Sequence, residues 1–130
     1  MSEISQQLAR LGVNPDLAPR PVSTLSNVIL HLVTFSWRPD VTNDDVVAVI
    51  EGLGSLPAQI PELLSYRFGP DLGLREGNAD FAVAAVLESP DTLPAYLDHP
   101  EHQRIATEFI APLVATRQAV QIELPADISF

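Results

Sequence analysis

The densest group of chemically active side chains in this sequence lies between Tyr96 and His102. These seven residues contain one of the two tyrosines and two of the three histidines. An imidazole, whose ordinary pKa is about 6.5, can remove an acidic proton that lies between two carbonyl groups at neutral pH. A phenol can donate a hydrogen bond to the oxyanion that forms. We therefore predict His102 as a general base and Tyr96 as the acid that binds the developing enolate or alkoxide oxygen.

A break in a helix divides this segment into parts with different roles. His99 precedes a proline and is disfavoured in helical geometry, whereas Pro100 suits the first position of a helix that restarts there and runs to about Leu113. We expect His99 to cap the restarted helix rather than to take part in catalysis. His102 then shares an apolar stripe with Ile105, Ala106 and Phe109. The alternative is a core histidine that hydrogen-bonds a backbone carbonyl across the break, beside a Tyr96 that only packs.

The third histidine, His31, lies in a run of β-branched and aromatic residues, 28–35, that predicts a strand. Period-two alternation places it on the same face as Ile29, Val33 and Phe35. Two roles remain open: a catalytic group that reaches the site from the first strand, or a structural partner for Tyr96 or a backbone group. Imidazoles also bind zinc, but no aspartate or glutamate spacing completes a site with the three histidines, so we expect no metal.

Composition excludes several other kinds of chemistry. The sequence has no cysteine, which removes disulfides, thiolate catalysis, iron–sulfur clusters and cysteine-bound zinc. No glycine-rich phosphate loop opens a helix, and we expect no cofactor. The formal net charge is -10, and seven scattered arginines are the only basic residues besides histidine. Neither nucleic acid nor an anionic membrane surface is therefore an expected partner.

The chain of 130 residues has the length of one folded body with short extensions. Residues 1–25 are rich in proline and predict an N-terminal tail or linker, 26–125 predict the domain, and 126–130 a C-terminal tail. No apolar run approaches the roughly 20 residues needed to span a bilayer, and the first residues lack the features of a signal peptide. We expect a cytoplasmic protein.

The remaining elements must position the candidate site. Thr42, with Asp45 three residues later, predicts a capping box that opens the first helix. Ser89 before a proline predicts the start of the second helical region. Strands are predicted at residues 28–35, 64–68, 81–87 and 116–124. The order β-α-β-β-α-β predicts an α+β, ferredoxin-like protomer in which two helices cover one face of a four-stranded antiparallel sheet.

One face of that sheet would be apolar and uncovered. The strands at 28–35 and 81–87 are apolar on both faces, while the helices cover only one. A soluble monomer does not tolerate an exposed apolar face of that size. We therefore predict a homodimer in which two sheets pack face to face as a dimeric α/β barrel.

This order of elements, a first strand containing His31-Leu32-Val33, and the motif Tyr-x-x-His-Pro-x-His at a helix break together resemble the stress-responsive dimeric α/β-barrel (Dabb) family. The resemblance covers roughly residues 27 to 124, and its most specific part is the motif at 96–102 with the preceding 87–89. It implies a ferredoxin-like protomer, a dimeric barrel and a cavity between helices and sheet in each subunit.

Within this family the chain resembles polyketide cyclases of the olivetolic acid type, which close a linear poly-β-ketone thioester product by an aldol step. The resemblance implies that three of their pocket residues correspond to His31, Tyr96 and His102. It also implies an apolar substrate pocket at or near Val33, Phe35, Val49, Ile50, Leu53, Val83 and Leu113. The chain departs from the cyclases at Phe81, where they have a further histidine, and at Ile50, Leu53 and Leu113, where they have bulky aromatic residues. The resemblance therefore does not define the substrate.

Three functions are compatible with these residues. The first is a cofactor-independent polyketide cyclase or lyase that acts on a small apolar or β-ketone ligand. The second is a non-catalytic ligand-binding or structural stress-response homodimer, in which the histidines and tyrosine form a satisfied buried network. The third is a cofactor-free monooxygenase-like enzyme, which needs an activating Asn or Trp in the pocket, whereas Trp37 lies at a strand end. A cavity of about 300 Å³ or more beside His102 would favour a ligand over the purely structural role.

Overall fold

The computed structural model describes residues 27–127. The predicted N-terminal tail at 1–25 and the last three residues of the predicted C-terminal tail lie outside the described residues. The elements are β1 (Val28–Trp37), α1 (Asn43–Gly54), β2 (Leu63–Pro70), β3 (Phe81–Leu87), α2 (Leu93–Leu97), α3 (Pro100–Ile105) and β4 (Val114–Leu124). Two 3-10 turns (Pro90–Thr92 and Ala111–Leu113) and a π-helical turn (Ala106–Ile110) complete the second helical region.

The four strands form one antiparallel sheet in the order β2-β3-β1-β4. β1 is central, and its register pairs His31 with Ala85 on β3 and with Gln121 on β4. The predicted ferredoxin-like fold is therefore confirmed. Because partners in register point to the same face, the side chain of Gln121 lies on the same face of the sheet as His31.

The start of α1 follows from a local capping box, as predicted. The hydroxyl of Thr42 accepts a hydrogen bond from the backbone N–H of Asp45 at 3.2 Å, and the Asp45 carboxylate accepts one from the N–H of Thr42 at 2.9 Å. Near the other end, a Cβ on Gly52 would lie 3.2 Å from Cγ2 of Ile105. The glycine therefore allows α1 to pack closely against α3.

The second helical region is less regular than predicted. His99 caps α3 as expected, because its Nδ1 accepts a hydrogen bond from the backbone N–H of Glu101 at 3.1 Å. Helical turns continue to Leu113, where the restarted helix was predicted to end, but only Pro100–Ile105 is α-helical and the rest consists of π-helical and 3-10 turns. Pro112 has no N–H to donate to the preceding turn, which disfavours an α-helix at this end.

The two faces of the sheet have different environments. The inner face, which carries Ile29, Val33 and Phe35, packs against the helices and forms the core with residues such as Leu53 and Ile105. The register places the outer face at Leu30, Leu32, Val86, Val120 and Ile122. Val120 and Ile122 are 48% and 46% exposed. Among residues 27–127, no helix is long and apolar enough to cross a membrane.

Candidate functional site

A cavity of about 340 Å³ lies between the inner face of the sheet and the second helical region. Its volume falls within the range of about 300–1,000 Å³ typical of small-molecule sites. Its polar lining consists of His31, Tyr96, His102 and Arg117. Its apolar lining consists of Val33, Phe35, Leu53, Val83, Leu97, Ala106, Ile110, Ala111 and Val114. Strands and helices thus bring together residues that are as many as 86 positions apart.

His102 is held in one tautomer by the helix break. Its Nδ1 lies 3.1 Å from the backbone carbonyl oxygen of Leu97. A carbonyl can only accept, so Nδ1 carries the proton and donates it, and Nε2 keeps the basic lone pair. Burial lowers the pKa of His102; the Leu97 carbonyl opposes this effect, and the charge of Arg117 adds to it. His102 is therefore a neutral imidazole at pH 7 with one nitrogen available to a ligand.

Tyr96 presents a protonated hydroxyl beside that imidazole. The rings of Tyr96 and His102 lie 4.4 Å apart between centroids, at 59° to one another. Burial raises the pKa of Tyr96 to about 12, although a hydrogen bond from Tyr66 acts in the opposite direction. The two hydroxyl oxygens are 2.8 Å apart. With Tyr66 as the donor, the O–H of Tyr96 is free to donate into the cavity.

His31 is oriented by a polar side chain from the neighbouring strand. The amide nitrogen of Gln121 lies 2.8 Å from Nδ1 of His31. An amide nitrogen can only donate, so Nδ1 accepts and Nε2 carries the ring proton. Burial lowers the pKa of His31, the charge of Arg117 lowers it further, and protonation of His102 acts in the same direction. The structure thus combines a histidine acceptor, a histidine donor and a tyrosine donor around one cavity.

The cavity includes only some of the residues inferred from the resemblance. Val33, Phe35, Leu53 and Val83 line it, together with His31, Tyr96 and His102. Val49, Ile50 and Leu113 do not. Val49 lies one turn before Leu53 on α1 and is fully buried in the core, while Ile50 and Leu113 pack against that core.

Three residues at the site were not foreseen. Tyr66 reads in the sequence as an ordinary strand residue, and its bond to Tyr96 spans 30 positions. Gln121 and Arg117 lie on one face of the last strand, but the sequence does not define the register that brings this face to His31. Alternation along β4 was the available signal, because both residues lie on one face.

His99 and Trp37 lie outside the cavity lining. His99 faces the start of α3, as its bond to Glu101 requires. Trp37 stacks on Phe35 at 5.6 Å between ring centroids and also contacts Phe81. Within the described part of the chain, no group of three or more His, Asp or Glu side chains is arranged to hold a metal ion.

The hydroxyl pair predicts a measurable coupling between Tyr66 and Tyr96. We expect Tyr96→Phe to lower the free energy of unfolding by about 1–2 kcal/mol, because it leaves the Tyr66 hydroxyl buried without its partner. Tyr66→Phe should cost less, since the Tyr96 hydroxyl can turn towards the cavity. The double replacement should cost about 1 kcal/mol less than the sum of the two. Urea unfolding of the four proteins measures this coupling, and strictly additive losses would contradict the bond.

Comparison with known proteins gives one family and many similar structures. The family model described as the Stress responsive A/B Barrel Domain, or Dabb, matches residues 29–124. An uncharacterized protein of Streptomyces coelicolor is 33% identical over 78 residues, which cover 58% of this chain and 80% of that protein.

Two solved structures illustrate the range of similarity. A dimeric ferredoxin-like protein of unknown function from Thermobifida fusca is 49% identical, with a TM-score of 0.71, and the match covers 76% of this chain and 92% of that one. The hydroxynitrile lyase from Passiflora edulis is 18% identical, with a TM-score of 0.66 and coverage of 78% and 97%. At that identity the second likeness concerns the fold alone.

Proposed function

Because this chain belongs to the stress responsive A/B barrel (Dabb) family, we propose that it is a homodimer that binds a small apolar or β-ketone molecule in the cavity of each protomer. The Thermobifida fusca protein, at 49% identity, is described as dimeric and ferredoxin-like. The ligand site is supported by the cavity of about 340 Å³ and its largely apolar lining.

The outer face of the sheet supports the dimer. Leu30 and Leu32 on β1 are flanked there by Val120 and Ile122 on β4. About half of the surface of each of the last two side chains is exposed in one protomer. A contiguous apolar patch of this kind is typical of an interface, and a second copy supplies a matching surface through a two-fold axis. Packing of the two outer faces would form the core of a dimeric α/β barrel.

We further propose that the cavity carries out cofactor-independent cyclase or lyase chemistry of the olivetolic acid cyclase type. The observation that carries this proposal is the hydrogen bond from Nδ1 of His102 to the Leu97 carbonyl. It leaves Nε2 as a neutral base in an apolar cavity, within reach of a C–H made acidic by two carbonyl groups. The same bond is also expected of a purely structural core histidine. His102 lines the cavity, however, and its Nε2 makes no hydrogen bond to the described part of the protein, so this nitrogen can bind a ligand.

The proposed steps balance without an external reactant. Nε2 of His102 takes the proton from the carbon between two carbonyls, and the electron pair of that C–H bond forms the enolate. The O–H of Tyr96 and the Nε2–H of His31 donate hydrogen bonds to the developing oxyanion. The enolate carbon then forms a bond to the carbon of a third, more distant carbonyl group of the same molecule, the C=O π bond of that group breaks to give an alkoxide, and the His102 imidazolium returns its proton to this alkoxide.

Solvent deuterium exchange tests the first step without the natural substrate. Ethyl acetoacetate in deuterium oxide should exchange its central hydrogens faster with the protein than in buffer alone, and the added rate should saturate with substrate concentration. NMR measures the loss of the proton signal. The catalytic proposal would be contradicted if ethyl acetoacetate shifted the NMR signals of the cavity residues but exchanged no faster than in buffer. Ligand binding would then remain as the function of the cavity.

The second candidate function is a ligand-binding or structural stress-response homodimer without catalysis. It is supported by the hydrogen bonds that His31, Tyr96 and His102 make to Gln121, Tyr66 and Leu97, and by the finding that every fully buried side-chain nitrogen and oxygen among the described residues has a partner. These hydrogen bonds alone can account for the polar side chains, without a catalytic role. A monooxygenase-like activity has less support, because Trp37 packs against Phe35 and Phe81 outside the cavity lining.

A further inference from the structure

The charge of the cavity is opposite to that of the whole chain. The sequence has 17 acidic and 7 basic residues, yet the cavity lining contains no carboxylate and one guanidinium, that of Arg117. The remaining polar groups of the lining are two imidazoles and one phenol. With neutral imidazoles the lining therefore carries a formal charge of +1, whereas the whole chain carries a formal net charge of -10.

Arg117 lies on the inner side of β4, opposite Phe35 and four residues before Gln121. It is close enough to both imidazoles for its charge to lower the pKa of His31 and of His102. The ion pairs among the described residues join Arg104 to Glu101 and Glu108, and none includes Arg117. Arg117 thus lines the cavity, and in the described part of the chain no carboxylate forms an ion pair with it.

We propose that the cavity selects ligands that carry a carboxylate group, and that Arg117 is the residue that binds this group. The planar guanidinium can form two parallel hydrogen bonds with a carboxylate, while the apolar walls formed by residues such as Val33, Leu53 and Val83 take the hydrocarbon part. This inference rests on the proposed ligand-binding function and adds the charge of the ligand and the residue that recognises it. A bound carboxylate also offsets the charge that acts on His102.

The test compares two probes of the same shape, benzoate and benzamide, at fixed ionic strength and neutral pH. The wild-type protein should bind benzoate about tenfold more tightly than benzamide, as a charge-assisted hydrogen bond implies. Arg117→Gln should abolish this preference without lowering the affinity for benzamide. Arg117→Lys should retain part of the preference. Isothermal titration calorimetry or NMR titration measures the affinities. Arg117 is exposed, so its replacement leaves the core intact.

Arg75→Gln is the matched control, because it removes the same charge from an exposed loop residue outside the cavity lining. It should keep the preference for benzoate. NMR supplies a second readout, since benzoate should raise the pKa of His102 in the wild-type protein and benzamide should not.

Equal affinity for the two probes, or a preference that survives Arg117→Gln, would overturn the assignment of Arg117 while the cavity remains a ligand site. If Arg75→Gln lost the preference to the same extent, the assignment of Arg117 would also be wrong, because the net charge of the protein would then explain the preference for benzoate. Failure of both probes to bind at millimolar concentration would overturn the ligand site itself.

Discussion

Replacing His102 with glutamine is expected to lower the protein-catalysed exchange of ethyl acetoacetate by about 10²–10⁴-fold, the usual contribution of a positioned general base. Glutamine has a similar size and keeps a polar group near the Leu97 carbonyl, to which the imidazole is bonded at 3.1 Å. Its amide has no basic nitrogen at neutral pH. The replacement therefore removes the base while preserving most of the packing beside Tyr96.

The matched control is His99→Asn, three residues earlier. Asparagine removes an imidazole but still caps a helix, as His99 does through Glu101. Exchange catalysed by this variant should stay within about twofold of the wild-type rate, because His99 lies outside the cavity lining. If His102→Gln retained the wild-type rate, or if both variants lost the same activity, His102 would not be the base.

The pH dependence of the wild-type exchange rate is a further test of His102 as the base. Burial lowers the pKa of His102, so the neutral, basic form is present above that lowered value and disappears as the pH falls through it. The protein-catalysed rate should therefore fall on acidification, with an inflection below about 6.5, the ordinary value for histidine. An inflection above that value would indicate a different base.

Placing a charge at Val120 is expected to convert the dimer into monomers. Val120 lies on the outer face of the sheet, opposite Leu32 in the register of β1 with β4. Two-fold symmetry puts the Val120→Glu substitution into the interface twice, and each buried carboxylate would lack a partner. Light scattering at micromolar concentration should change from about twice the 14.1 kDa protomer mass to that mass.

The matched control for this variant is Val47→Glu on α1. Val47 is 49% exposed and Val120 is 48% exposed, but Val47 lies on a helix on the other side of the sheet. Val47→Glu should leave the mass of the dimer unchanged. Dissociation by both variants, or a wild-type protein that is already monomeric, would contradict an interface at the outer face.

The sequence predicted features that depend on neighbouring residues. The capping box of Thr42 and Asp45 and the cap at His99 were both read from spacing alone, since a side chain that satisfies a helix terminus lies within three residues of it. The strands and the ferredoxin-like order followed from alternation and turn residues. These elements were enough to predict that Tyr96 and His102 lie on the helical side of the sheet.

The sequence did not predict features that depend on pairing between distant strands. Gln121 meets His31 across 90 positions, and Tyr66 meets Tyr96 across 30. Both contacts require the register of the sheet, which alternation along a single strand does not fix. The lining of the cavity also depends on tertiary packing that helical spacing does not define: Leu53 lines the cavity, whereas Val49, one turn earlier on α1, is buried in the core.

The tautomer of His102 is the most direct test of the proposed base, and nitrogen-15 NMR of the imidazole rings measures it. At neutral pH we predict a protonated Nδ1 and an unprotonated Nε2 in His102, as its bond to Leu97 requires. Ethyl acetoacetate should shift the Nε2 signal of His102 and leave the His99 ring unchanged. A proton on Nε2 of His102, or a His102 ring that does not respond to any ligand occupying the cavity, would contradict the proposed base.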